Sequence, residues 1–329
     1  MNLAPVAFRR MTMIALTLLA IGMFGCPTTT NTGDGNNDGD NATLGENSVQ
    51  VGDYERTYSL YTPASFQNGT ETPIVVVLHG IGLSGDVALA DGRWKEKADN
   101  EGFVVVGPDA LPTNPDEPVN LLTNQRTWES TQFSLGGSTS NRDVLFFDSL
   151  LTDLSSKLGF TVSSVYVAGH SEGGSMAFIL ASERGSKVRA IAAVASHWIG
   201  LGPQPDPPTP TIYIVGSEDP IVPIEDNSGG ILPSAEFTLQ RWALALGCGL
   251  TPTTVSNDGQ VQIDQYNNCD DNVPFTAYTI FGQGHSWPGG TLPLSLVGFG
   301  PSTDYLNATD TVWDFFVGVE QTIQSARGR

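Results

Sequence analysis

The chain has 329 residues, with 35 acidic and 15 basic side chains, a formal charge of −20 at pH 7, and 40% hydrophobic residues. So acidic a surface repels phosphate backbones and anionic lipids, which excludes nucleic-acid binding and membrane docking through a basic patch. The apolar content excludes a largely disordered chain. A folded protein of this size needs no metal to hold it together.

Residues 1–25 are predicted to be an export signal. Two arginines precede the apolar run Met11–Phe24, which is too short to cross a bilayer comfortably. Cys26 follows Gly25 in an arrangement that resembles a bacterial lipobox, so lipidation of Cys26 after cleavage is predicted. The bulky Phe24 departs from that pattern, which leaves plain secretion, or a twin-arginine signal, as alternatives.

Residues 26–48 are predicted to be a lipidated cysteine followed by a flexible tether. The segment is rich in Thr, Asn, Gly and Asp, and its few apolar side chains cannot offset the entropy lost on ordering. One folded domain is then predicted over residues 49–329.

The cysteine count agrees with export. If Cys26 takes a lipid, Cys248 and Cys269 remain as a pair, and an exported chain meets an oxidising compartment that permits a disulfide. A metal site is a poor alternative because no histidine lies near either cysteine. The expected bond contributes about 3 kcal/mol in the chain-entropy treatment.

Buried β-branched runs and helical apolar spacings alternate along this domain. Strands are predicted at Arg56–Tyr61, Ile74–Leu78, Phe103–Val106, Val165–Ala168, Ala190–Ala195, Ile212–Val215 and Phe275–Phe281. Helices are predicted at Arg142–Leu158, Gly174–Arg184, Ser234–Leu246 and Thr309–Val319. This alternation predicts an α/β fold with a mostly parallel central sheet and helices on both faces.

The pentapeptide Gly169–Gly173, with sequence GHSEG, lies between a predicted strand and a predicted helix. That context is what a G-x-S-x-G nucleophile motif requires, because the serine sits on a sharp turn where larger neighbours would clash. Ser171 is thereby placed at a helix N-terminus, where the helix dipole favours developing negative charge. Ser171 is the predicted nucleophile.

A serine nucleophile needs a base and a group that orients the base. Asp219 follows the predicted strand Ile212–Val215, and His285 follows the strand at Phe275–Phe281. Both lie at carboxyl ends of strands, where parallel sheets place their sites. Glu218 and Asp226 are rival acids, and Asp219 is preferred for its offset from the strand.

The segment His79–Ile81 follows a predicted buried strand and contains a glycine turn. It predicts an oxyanion loop, with the N–H groups of Ile81 and Glu172 as donors. A tight turn without catalytic meaning is the alternative. His170 is expected to pack or hydrogen-bond beside the nucleophile, and His197 to line the mouth of the site or lie on the surface.

Six segments together resemble the α/β-hydrolase superfamily, and more narrowly its secreted polyhydroxybutyrate depolymerase and feruloyl esterase group of lipoprotein-like esterases. They are Leu78–Gly80, Val165–Ala177, Gly216–Pro223, Gly229–Gly230, Cys248–Gly249 and Gly284–Gly290. The likeness spans most of residues 51–317, and the GHSWPGG stretch with the upstream cysteine pair is its most specific part.

The resemblance implies an α/β-hydrolase fold in which Ser171, Asp219 and His285 form a catalytic triad. It also implies a disulfide between Cys248 and Cys269. Glu172 stands where this group often has Asn. Since only its N–H is required, that departure bears on substrate preference more than on activity.

Two loops indicate how open the site is. The proline-rich connection Ala195–Thr211 is too short for the lid that lipases insert there, so no lid domain is expected. Trp128 in the loop Ala110–Asn141, together with Trp198 and Trp287, is predicted to contact the substrate, with core packing as the alternative for each.

These patterns predict an exported serine esterase that acts on a polymeric or oligomeric ester without metal or organic cofactor. Polyhydroxybutyrate-type polyesters and feruloyl or acetyl esters are the candidate substrates. A membrane is contacted only through the lipid on Cys26, and the sequence says nothing about oligomeric state. A serine peptidase of the prolyl-oligopeptidase type, or a non-catalytic surface-binding lipoprotein, are the alternatives.

Overall fold

A computed structural model describes residues 43–130, 141–198, 204–225 and 232–327. Within these ranges ten strands form one sheet. The strands are β1 (Thr43–Val51), β2 (Tyr54–Thr62), β3 (Ile74–Leu78), β4 (Val104–Pro108), β5 (Val165–His170), β6 (Val188–Val194), β7 (Thr211–Gly216), β8 (Thr253–Asn257), β9 (Val261–Tyr266) and β10 (Phe275–Ile280). The predicted signal peptide, Cys26 and the tether up to residue 42 lie outside the described residues.

The sheet runs in the order β1-β2-β4-β3-β5-β6-β7-β10-β9-β8. Its six central strands, from β4 to β10 in that order, are parallel to one another. The outer pairs, β1 with β2 and β8 with β9, join antiparallel. Five of these strands are buried along almost their whole length, because helices cover both faces, while β10, which borders β9, has three half-buried residues.

Six helices are described: α1 (Gly85–Asp91), α2 (Trp94–Glu101), α3 (Arg142–Leu158), α4 (Glu172–Arg184), α5 (Ala235–Ala245) and α6 (Ala308–Arg327). Apolar side chains of α3, α4 and α5 form one core on one face of the sheet. Those of α1, α2 and α6 form a second core on the other face. Among the described helices, none combines the length and apolarity needed to traverse a bilayer.

The predicted architecture is confirmed, with errors at the periphery. β3 and α3 have the predicted bounds, and the other predicted elements differ by a few residues at one or both ends, most of all α6, which runs on to Arg327. None of β1, β8, β9, α1 and α2 is among the elements predicted from the sequence. Every residue of β8 is exposed, so its side chains carry no burial pattern to detect.

The domain begins earlier than residue 49. β1 starts at Thr43, and its residues 43–48 pair antiparallel with residues 57–62 of β2. This part of the predicted tether is therefore a strand. Its side chains are exposed or half-buried and form no apolar pattern. Backbone pairing with β2 therefore fixes this strand. Polar composition alone was the wrong criterion for residues 43–48.

Candidate active site

Ser171 lies between the end of β5 and the first residue of α4, in a backbone conformation with φ 55° and ψ −121°. Few non-glycine residues adopt this conformation, and it costs on the order of 1–3 kcal/mol. Two glycines allow it. A Cβ on Gly169 would come within 2.3 Å of the Gly173 carbonyl, and a Cβ on Gly173 within 2.2 Å of the Leu78 oxygen. The G-x-S-x-G spacing is thus a steric requirement of this turn.

Ser171, His285 and Asp219 form a continuous hydrogen-bonded chain. Ser171 Oγ lies 2.8 Å from Nε2 of His285, and Nδ1 of His285 lies 2.7 Å from Oδ2 of Asp219. A carboxylate can only accept, so Nδ1 carries the proton and Nε2 is free to accept from the serine hydroxyl. The other Asp219 oxygen accepts the N–H groups of Ile221 and Val222, which fixes the carboxylate. This is the geometry of an activated nucleophile.

The rival acids do not take this place. Glu218 is exposed, and its backbone N–H donates to the Gln283 carbonyl. Asp226 lies outside the described residues. The side chain of Asp219 is fully buried against His285, so of the described acids it is the one that orients the imidazole.

A loop after β10 that the sequence did not single out holds His285 in place. His285 N–H donates to the Phe299 carbonyl at 2.6 Å, and Gly284 N–H to the Pro301 carbonyl at 2.7 Å. The Phe299 ring, which is half-buried, stacks on the imidazole with 5.8 Å between centroids. Phe299 lies in a glycine-rich stretch without a motif, and only its position shortly after the GHSWPGG segment could have indicated it.

The loop after β3 approaches the nucleophile closely. A Cβ on Gly80 would lie 3.4 Å from Ser171 Cβ, so glycine lets the loop backbone reach the serine. Nε2 of His79 accepts the Ala110 N–H, which leaves the proton on Nδ1 to donate to the Gly80 carbonyl. Burial lowers the pKa of His79 to about 4, so the ring stays neutral and braces the loop. Ile81 is 40% exposed beside it.

The other two histidines are also buried and neutral. His170 Nε2–H donates to the carbonyl of His285, and burial with the nearby His285 lowers the pKa of His170 to about 3. His197 was expected at the mouth or on the surface, yet it is 6% exposed. Its Nδ1 lies 3.4 Å from Ser175 Oγ, and burial lowers its pKa to about 4.

The three tryptophans predicted to contact the substrate are buried instead, with 3% of Trp128, 7% of Trp198 and 4% of Trp287 exposed. Trp287 donates to Thr309 Oγ1, and Trp198 packs edge-on against Trp242 with centroids 4.8 Å apart. Their rings offer no open face for stacking, which favours the alternative of core packing for each. Proximity of a tryptophan to a motif does not tell an outward side chain from an inward one.

The pair Cys248 and Cys269 is joined by the predicted disulfide, which ties the end of α5 to the segment between β9 and β10. Among the described residues, no group of three or more His, Cys, Asp or Glu side chains is arranged to hold a metal ion.

No family model matches the chain. It is 26% identical to the putative esterase NocK of Nocardia uniformis subsp. tsuyamanensis over 84% of this chain and 83% of that protein. It is 27% identical to feruloyl esterase C of Emericella nidulans over 55% of this chain and 59% of that protein. Among solved structures, an acetyl xylan esterase from Aspergillus awamori superposes with a TM-score of 0.53 at 16% identity, covering 74% of this chain and 94% of that one. The chain has the α/β-hydrolase fold.

Its sequence relatives are esterases, and the chain is a carboxylic ester hydrolase. The structural likeness, at low identity, shows the shared fold and nothing finer. The connection from β6 to β7 spans only residues 195–210, of which 199–203 lie outside the described residues. That length leaves no room for an inserted lid domain.

Proposed function

We propose that this carboxylic ester hydrolase works through a serine nucleophile and an acyl-enzyme. The single observation that carries the proposal is the hydrogen-bonded chain from Ser171 through His285 to Asp219. In the first half-reaction, Ser171 Oγ attacks the ester carbonyl while Nε2 of His285 takes its proton. The tetrahedral intermediate collapses, the C–O bond to the alcohol breaks, and the imidazolium returns the proton to the leaving alcohol.

The second half-reaction repeats these steps with water. His285 takes a proton from water, the hydroxide adds to the acyl carbon, and Ser171 leaves with the proton returned by the imidazolium. The N–H groups of Ile81 and Glu172 hold the oxyanion in both halves. Both proposed half-reactions use only side chains and backbone N–H groups of the chain, with water as the second reactant.

The substrate class we propose is a feruloyl-type ester of a polysaccharide. Sequence similarity to feruloyl esterase C supports it, and the half-buried Phe299 ring against the imidazole adds an aromatic surface beside the reacting atoms. The polyhydroxybutyrate-type polyester stays as the competing substrate, and hydrolysis rates on methyl ferulate and on 3-hydroxybutyrate oligomers separate the two. A higher kcat/KM on ferulate supports the proposal, and a higher value on the oligomers overturns the substrate class.

Ser171→Ala tests the mechanism in the same assay. We expect loss of essentially all hydrolysis and of labelling by a fluorophosphonate probe, with an unchanged melting temperature. Full activity in this variant would refute the serine mechanism. A wild-type protein that hydrolyses peptide amides but not esters would instead favour the peptidase alternative.

We also infer export, with a lipid on Cys26. The apolar run Met11–Phe24 behind two arginines supports it, and so does the disulfide, which is stable in an oxidising compartment. Metabolic labelling with a fatty-acid analogue tests the anchor, and Cys26→Ala is the control. Incorporation in the wild type but not in Cys26→Ala supports lipidation, and secretion of unlabelled wild type overturns it.

A further inference from the structure

Under the proposed function, the two oxyanion donors come from segments far apart in sequence. Ile81 lies in the loop after β3, and Glu172 is the first residue of α4. Such a hole works only when both N–H groups point at one oxygen, each about 3 Å away. Some contact must therefore fix the loop His79–Gly82 relative to the start of α4.

The side chain of Glu172 makes one half of such a contact. It is buried, with 8% of the residue exposed, and each carboxyl oxygen accepts one hydrogen bond. Oε1 accepts from Thr127 Oγ1 at 2.6 Å, and Oε2 accepts from the Trp128 N–H at 3.1 Å. The residue that follows the nucleophile is thus tied to a segment from the long loop between β4 and α3.

The other half runs from that segment to the oxyanion loop. Gly82 N–H donates to the Arg126 carbonyl at 2.8 Å, and Trp128 Nε1–H donates to the His79 carbonyl at 2.9 Å. The Trp128 and His79 rings also contact, with centroids 5.0 Å apart. Residues 126–128, here called the brace, therefore bond to the loop on both sides of Ile81 and to the side chain of Glu172.

We propose that the Glu172 carboxyl is a positioning group that sets the spacing of the oxyanion hole by holding the brace. This inference rests on the proposed serine mechanism. Under this proposal the buried Glu172 carboxyl and the buried Trp128 side chain affect the reaction without contacting the substrate. It also explains why an acidic residue follows the nucleophile, where only an N–H is needed.

The cost of burying the Glu172 carboxyl indicates that its hydrogen bonds are the reason for its presence. Burial, with a smaller contribution from Asp143, raises the pKa of Glu172 to about 7 in spite of the two donors. Burying such a group is costly unless its hydrogen bonds are made. In this proposal the positioning role depends on the two hydrogen bonds and not on the charge. A glutamine separates the two, because its uncharged amide can accept from the Trp128 N–H and donate to Thr127 Oγ1.

Kinetics of Glu172→Ala and Glu172→Gln test the proposal, with Glu183→Ala, an exposed glutamate on the same helix, as the matched control. We expect Glu172→Ala to lower kcat by about 10- to 100-fold, since small misplacements of catalytic groups cost up to about 100-fold. KM should change less than about threefold, because ground-state binding is not made by the oxyanion donors. A boronic acid that forms a tetrahedral adduct should lose affinity in parallel with kcat.

Glu172→Gln should keep kcat within about threefold of the wild-type value. If the negative charge of Glu172 were what mattered, this variant would instead lose activity as Glu172→Ala does. Trp128→Phe removes the indole N–H that bonds to the His79 carbonyl and keeps an aromatic ring at this position. It should lower kcat on its own, and added to Glu172→Ala it should have little further effect, because both act through the brace. Additive losses, or a wild-type kcat in Glu172→Ala, would overturn the proposal.

Two measurements distinguish failure of the proposed serine mechanism from failure of the positioning role of Glu172. Fluorophosphonate labelling of the wild type reports on Ser171, so an unlabelled wild type refutes the serine mechanism. A labelled wild type beside a fully active Glu172→Ala refutes the positioning role alone. If Glu172→Ala does not fold, Trp128→Phe decides, and an unchanged kcat in that variant overturns the inference.

Discussion

Asp219→Asn is expected to lower kcat about 10⁴-fold in a folded protein. Oδ1 of Asp219 accepts the N–H groups of Ile221 and Val222 at 2.8 and 2.9 Å, and Oδ2 accepts Nδ1–H of His285 at 2.7 Å. Backbone N–H groups can only donate, so the amide oxygen of the new Asn must face them. Its NH₂ group then faces the imidazole. Nδ1 of His285 becomes an acceptor, and the ring proton moves to Nε2.

A ring protonated at Nε2 cannot take the proton of Ser171, although every heavy atom keeps its place. Loss of the correct tautomer costs about 10⁴ in kcat, which is about 5.4 kcal/mol of transition-state stabilisation at 1.36 kcal/mol per decade. KM should stay within about threefold, since no substrate contact is removed.

Steady-state rates on p-nitrophenyl acetate and methyl ferulate measure this loss. Glu218→Gln is the matched control, because Glu218 is the adjacent, exposed acid and should retain the wild-type kcat. Melting temperatures check that the Asn variant is folded. A kcat above one tenth of the wild-type value in the folded Asn variant would refute the reasoning from the two N–H groups.

Three further outcomes are expected. Gly173→Ala should yield little active protein, because the new Cβ would lie 2.2 Å from the Leu78 oxygen; wild-type kcat in this variant would contradict the steric account of the turn. Replacing Cys248 and Cys269 by serine should lower the free energy of unfolding by about 3 kcal/mol, measured by urea titration; a change below about 0.5 kcal/mol would contradict it. Stability should fall as the pH is lowered from 6.5 towards 4, because three buried histidines with lowered pKa values stay neutral while the unfolded chain binds protons. Three carboxyls oppose this, because burial raises their pKa values and makes the folded state the stronger proton binder: Glu172 between pH 4.5 and 7, and Asp91 and Asp143 above their ordinary value of 3.8. Urea midpoints across this range should therefore drop with acid, and a flat profile would contradict the burial of the histidines.

The buried central strands and the turn around Ser171 could be predicted from the sequence, because at each of them a single physical requirement restricts the residue type. A strand buried on both faces needs a continuous apolar run, and Ile74–Leu78 has one. A serine at positive φ needs small neighbours, which identifies the turn around Ser171. The offsets of Asp219 and His285 from their strands follow from the parallel topology.

Outside that centre, composition did not determine structure. Residues 43–48 are polar and nevertheless form a strand, because β2 supplies their hydrogen-bond partners. Trp287 lies in the most specific motif, yet it points inward to Thr309. The direction of a side chain, and the fit of Glu172 to the brace, depend on contacts between distant segments, which no local pattern contains.

The placement of β10 has a consequence for the timing of activity. This strand is parallel to β7, and the loop behind it holds His285 through residues 299–301. A chain that has folded only as far as β9 contains Ser171 on its turn and also Asp219, but no imidazole to take the serine proton. Ester hydrolysis would therefore begin only when the segment after β9, about the last fifth of the chain, has docked. Incompletely folded molecules that lack this docked segment would not hydrolyse esters.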